Sequence, residues 1–170
     1  MKKNHELVCF VAAGLLSLAS APGHAESGTV DIVLAASSNV YAVQMADTTV
    51  TARGGDGTVT FVRSSGAPFV EGASATVQYA SFSKRTPSGF ELEADGVATF
   101  SSEDTLLLLF KRQSGDLAAG TSGEGTLHLM GGTGHFAGVS GQCTYKVDNL
   151  PGNWNVTIAK CEWNYSFPYR

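Results

Sequence analysis

Apolar and polar side chains alternate along most of the chain after residue 25. Phe90, Leu92 and Ala94 alternate with Glu91, Glu93 and Asp95. Cys143, Tyr145 and Val147 alternate with Thr144, Lys146 and Asp148, and Trp154, Val156 and Ile158 with Asn153, Asn155 and Thr157. A strand with one face on a core and the other in water needs this period of two, because successive side chains point to opposite faces. The pattern predicts strands near 29–35, 40–45, 48–53, 58–63, 75–83, 90–100, 105–111, 125–130, 136–147 and 154–165. Turn chemistry separates them at Gly54-Gly55-Asp56-Gly57, at 64–68, at Thr86-Pro87-Ser88-Gly89, at Ser114-Gly115-Asp116 and at Gly131-Gly132-Thr133-Gly134. This spacing suits an all-β sandwich or barrel, and no segment carries a capped helical stripe.

Two stretches depart from simple alternation. Leu106-Leu107-Leu108-Leu109-Phe110 is apolar at every position, which predicts a strand covered on both faces, within the domain or at a subunit interface. In the last strand the apolar set moves from Trp154, Val156 and Ile158 to Cys161, Trp163 and Tyr165. A β-bulge near Ala159-Lys160 would shift the phase by one; the alternative is that both faces are covered there.

The first 25 residues have a different character. A basic head (Lys2, Lys3) precedes an apolar run over 7–19 and a small-residue exit ending Gly23-His24-Ala25. That order is the pattern of a secretory signal. The apolar run is about 13 residues, short of the roughly 20 that span a bilayer. The expectation is a signal peptide over 1–25, a single domain over 26–170, and a secreted or periplasmic location without a transmembrane segment. The chain has a net charge of −4, and losing Lys2, Lys3 and Glu6 leaves nine basic and fourteen acidic residues. Such a balance argues against nucleic-acid binding, which needs a cationic face. Cys143 and Cys161 remain after that removal, on neighbouring predicted strands joined by the turn 149–153, and read as a disulfide across a hairpin. A redox or metal pair lacks the Cys-x-x-Cys spacing.

The segment Gly131-Gly132-Thr133-Gly134-His135-Phe136-Ala137-Gly138-Val139-Ser140-Gly141 resembles the Gly-Gly-(Thr/Ser)-Gly-x-Phe-x-x-x-x-Gly signature of the allene oxide cyclase barrel and of plant dirigent proteins. The resemblance covers about the last 60 residues. It implies an eight-stranded antiparallel β-barrel, calycin-like in outline, assembled as a homo-oligomer (a trimer in those families). Read from the residues alone, Gly131, Gly132 and Gly134 permit positive φ in a tight connection, and Phe136 fills the barrel end beside it. Gly138 and Gly141 allow sharp coiling within a strand.

Candidate chemistry is sparse. No Gly-x-Ser-x-Gly elbow, phosphate loop or metal-ligand spacing is present, so no cofactor, metal or catalytic residue is assigned. Of the histidines, His135 sits at the turn. His128 enters the barrel if Leu127 and Leu129 pack outward, and meets solvent if they pack inward. Glu91, Glu93 and Asp95 read as a solvated face. Tyr79, Phe82, Phe90, Trp154 and Trp163 are aromatics available to line a barrel mouth; Tyr79 and Trp154, with His128, are the candidate ligand contacts. An eight-stranded barrel is just wide enough for one small ligand or for its own side chains. The expected function is therefore a binding or interaction module for a small apolar molecule or a partner protein. The alternative, implied by the resemblance, is an isomerase or cyclase, or a dirigent-like guide of a coupling reaction.

Overall fold

The structure is a computed structural model that describes residues 25–166. The expected signal segment lies outside the described residues apart from the backbone of Ala25. Eight antiparallel strands close into a barrel in sequence order: β1 (Ala25–Met45), β2 (Thr48–Ser64), β3 (Ser74–Thr86), β4 (Gly89–Thr99), β5 (Thr105–Arg112), β6 (Ser122–Gly132), β7 (Val139–Leu150) and β8 (Trp154–Ser166). Pairing of β1 with β8 completes the ring. The observed architecture is the all-β class that the alternation predicts and the eight-stranded antiparallel barrel that the resemblance implies.

Ten predicted strands become eight because two glycine-rich or polar stretches do not turn. Segments 29–35 and 40–45 are one strand, and so are 48–53 and 58–63. Gly54-Gly55-Asp56-Gly57 runs through the middle of β2, paired with residues 36–39 of β1. A Cβ at Gly55 would overlap the Ser37 carbonyl oxygen, and one at Gly57 would overlap the Ala35 carbonyl. These glycines let two strongly coiled strands approach each other, which is the other structural use of glycine inside a sheet.

Register is interrupted twice. Val62 is an extra residue where β2 meets β1 between Asp31 and Ile32, and β6 gains one around Met130-Gly131 opposite Leu106–Leu108. Gly131 has φ 78°, the left-handed conformation that one bulge type requires. The bulge expected near Ala159-Lys160 is absent. Pairing of β8 with both neighbours runs without a shift, and the odd positions Thr157, Ala159, Cys161 and Trp163 all face inward. Trp154 and Ile158 lie on the outer wall, about half exposed. The run 106–110 is likewise one-sided: Leu106 and Leu108 are buried, while Leu107 is 42% exposed.

The core fills one half of the barrel. Each hairpin connection at that end sends in a phenylalanine: Phe69 from β2–β3, Phe100 from β4–β5 and Phe136 from β6–β7. They meet Phe61 and Trp163, with Phe61 stacked on Phe100 at 5.0 Å and edge-on to Phe69 at 5.0 Å. Phe69 also reaches Trp163 at 5.6 Å. Offset and edge-on ring pairs of this kind add to the area they bury. Above this plug, Cys143 and Cys161 stand opposite each other on β7 and β8 and form a disulfide with Cα atoms 3.9 Å apart.

At the other end β1 and β2 outrun the ring. Pairing of β1 with β8 stops at Ser37–Trp154, whereas pairing with β2 continues to Met45–Thr48. Residues 39–45 of β1 therefore have β2 on one side and, among the described residues, no strand on the other.

Candidate functional site

The signature glycines build a clamp at the plugged end. Gly134 has φ 57°, and a Cβ there would overlap Asp104 Oδ1. Without it, Asp104 Oδ1 accepts a hydrogen bond from the His135 backbone N–H at 2.8 Å and lies 2.9 Å from His135 Nδ1. The backbone donor, then the ring, hold the Asp104 carboxyl below its usual range. Thr133 Oγ1 donates to the Glu103 carbonyl and accepts from the Thr105 N–H. The Gly-rich segment thus ties the β6–β7 connection to the β4–β5 turn and seats Phe136, 4% exposed, in the plug. Gly132 differs from the expectation: its φ is not positive, and it instead allows close approach of the Thr105 carbonyl. Gly138, at φ 87°, precedes β7 and is not inside it, while Gly141 is within β7.

The open end holds the pocket. Its walls include Leu34, Val77, Leu92, Ala94, Phe110, Tyr145 and Val147, with Tyr79, Asn155, Arg53 and Arg112 among them. The enclosed space is about 80 Å³, within about 620 Å³ of empty volume once the open mouth is counted. An engineered apolar cavity of roughly 150 Å³ takes benzene. At about half that volume, this pocket takes a short apolar group or the leading part of one small ring, and the remainder lies in the open mouth.

Three arginines share this end of the barrel. Arg53, Arg85 and Arg112 continue the inward faces of β2, β3 and β5, the last in phase with Leu106, Leu108 and Phe110. Arg112 is 2% exposed. The ring of Phe90 lies 5.5 Å from the Arg85 guanidinium and 5.0 Å from that of Arg112, a cation–π arrangement. Gly123 makes room, since a Cβ there would overlap Arg112 Nη1. The β5–β6 connection is fastened across the mouth by these side chains. Arg112 Nη2 donates to the Asp116 carbonyl at 3.1 Å, and Arg53 Nη2 to the Leu117 carbonyl at 3.2 Å. Asn149 Nδ2 also donates to the Asp116 carbonyl, at 2.8 Å. Arg85 alone has a carboxylate, Asp116 Oδ1 at 2.7 Å. Burial lowers Arg112 and Arg53 from the usual guanidinium range; Tyr145 opposes the effect at Arg112, and Tyr79 at Arg53. Burial raises the Tyr145 phenol, with Arg112 pulling the other way.

The structure does not bring the three expected ligand contacts together. Tyr79 lines the pocket, its hydroxyl 3.4 Å from the Ser37 carbonyl oxygen. His128 stands on the outer wall, because Leu127 and Leu129 are each 1% exposed and point inward. Trp154 is 50% exposed at the start of β8, also outside. Asn155 lines the pocket, with Nδ2 3.5 Å from the Tyr79 hydroxyl. The arginines were the missed feature, and their strand phase was the signal that pointed to them. Among the described residues no group of three or more His, Cys, Asp or Glu side chains is gathered for a metal ion. Comparison with family models, with curated proteins and with solved structures gives no match to this chain.

Proposed function

We propose that this protein is an exported, non-catalytic binding module that takes a small apolar molecule into the open end of its barrel. The observation that carries the reading is the contrast between the two ends. One is filled by five interlocking aromatic side chains, while the other keeps a cavity walled by Leu34, Val77, Leu92, Ala94 and Phe110. Concave, mostly apolar pockets with a few polar groups are where small molecules bind. The lining supplies phenols, amides and guanidiniums and no carboxylate or imidazole. It thus lacks a group suited to proton abstraction near neutral pH, which favours binding over the cyclase alternative.

The test is titration with toluene, a neutral apolar molecule of one ring, by isothermal calorimetry. Saturable one-to-one binding is expected, and Ala94→Trp, which fills the cavity, should abolish it while the far-ultraviolet circular dichroism stays unchanged. Absence of saturable binding to the folded wild-type protein would overturn the reading.

A further inference from the structure

We propose that the pocket takes an acid: a compact one-ring carboxylate whose ring enters the apolar cavity and whose carboxylate seats between Arg112 and Arg53. This rests on the binding function above and names its ligand class. The first observation is burial. Arg112 is 2% exposed and lines the cavity, yet its Nε has no hydrogen-bond partner. The same is true of Arg53 Nε. Buried guanidinium N–H groups are normally satisfied, and each one left unpaired is costly.

The second observation is charge. Among the described residues neither Arg53 nor Arg112 has an ion-pair partner; Asp116, the one carboxylate in the cluster, is engaged by Arg85. Arg53 and Arg112 instead hold the neutral carbonyls of two consecutive loop residues, Leu117 and Asp116. That places their donors side by side over one short stretch of backbone. A carboxylate replacing the Leu117 carbonyl on Arg53 and taking up the unpaired Nε of Arg112 would make stronger, charge-assisted bonds, and its two oxygens match the planar fork of a guanidinium. The Leu117 carbonyl belongs to a half-exposed loop and can turn to water, whereas the Asp116 carbonyl stays in place, held also by Asn149 Nδ2 and Thr121 Oγ1.

The third observation is size and wall chemistry. The 80 Å³ cavity, open at its mouth, receives no more than part of one ring, and Phe110 and Tyr145, 5.6 Å apart and edge-on, offer aromatic surface beside the arginines for the remainder. An apolar wall next to a cationic pair selects a ligand with one anionic end and one apolar end.

The experiment compares benzoate with benzyl alcohol, matched in size and differing in charge, by isothermal calorimetry on the purified protein. Acetate and inorganic phosphate serve as head-group controls. Benzoate is expected to bind at least about tenfold more tightly than benzyl alcohol, with the advantage shrinking as salt is added. In Arg53→Gln the ratio of benzoate to benzyl alcohol affinity should fall, and Arg53→Lys should restore part of it. Equal binding of the two ring compounds overturns the proposal and leaves the apolar-ligand reading standing. Acetate or phosphate binding as tightly as benzoate also overturns it, because the site would then hold free anions. If neither benzoate nor benzyl alcohol binds while toluene still does, the ligand class is wrong; if toluene fails as well, the underlying reading falls. The wild-type comparison decides the matter even if the Arg53 variants do not fold.

Discussion

Truncating Phe61 to alanine tests the placement of the core most directly. Phe61 is 1% exposed and touches Phe69, Phe100 and Phe136, with ring centroids 5.0, 5.0 and 6.2 Å away. A buried phenylalanine removes on the order of 150 Å² of apolar surface from water, which at about 25 cal/mol per Å² amounts to about 4 kcal/mol. Its ring pairs add to this, and partial collapse of the hole subtracts. Phe→Ala changes in cores span about 3–5 kcal/mol, and Phe61→Ala should lie in the upper half of that range. For a domain of this size the melting temperature should fall by about 10–15 °C. Phe82 is the control: it is an equally large ring, but 56% exposed on the outer wall of β3. Phe82→Ala should change stability by no more than about 0.5 kcal/mol. Urea denaturation followed by near-ultraviolet circular dichroism measures both. A Phe61→Ala loss below 1 kcal/mol, or equal losses for the two variants, would refute the assignment of which strand faces point inward.

Cys143→Ala should cost about 2–5 kcal/mol, since the bond closes a loop of 18 residues; an unchanged urea midpoint would contradict this. Gly55→Ala should cost about 2–3 kcal/mol or prevent folding, because its Cβ meets the Ser37 carbonyl. Gly89→Ala, with open space around it, should stay within about 0.5 kcal/mol, and thermal melts of the pair check the contrast. The Asp104 carboxyl is held below its usual value of 3.8, so its contribution is present above about pH 4 and is lost as pH falls through the depressed value. Asp104→Asn should therefore be less stable than wild type at pH 7, with the gap closing towards pH 2; a gap independent of pH would rule out the clamp as its cause.

Much of the wall was legible because its period is unbroken. Phe90 and Ala94 are buried and Glu91, Glu93 and Asp95 exposed, as their alternation implies, and the cysteines meet across a hairpin as their spacing implies. The Gly54–Gly57 stretch misled because glycine has two uses, and only the proximity of β1 distinguishes a coiled strand from a turn. The phase change in β8 misled for a related reason. Trp154, Val156 and Ile158 are apolar on the outside, and hydrophobicity was read as burial. The arginines carry the opposite lesson. Arg53, Arg85 and Arg112 sit in register with inward faces, but a charge within an alternating pattern is conventionally assigned to solvent. The pocket could not be read at all, since it depends on which end receives phenylalanines from its hairpin connections.

A closed cylinder of strands ordinarily offers no template for foreign chain, but among the described residues this one retains a stub of unpaired sheet margin. Along residues 39–45, alternate amides and carbonyls point away from β2, and the stretch Asn-Val-Tyr-Ala-Val-Gln-Met has no charge and no proline to guard it. Such composition on a naked margin favours intermolecular sheet growth. Fibril nucleation at high concentration should start from this stub, and a lysine at position 43 is the smallest change that would blunt it.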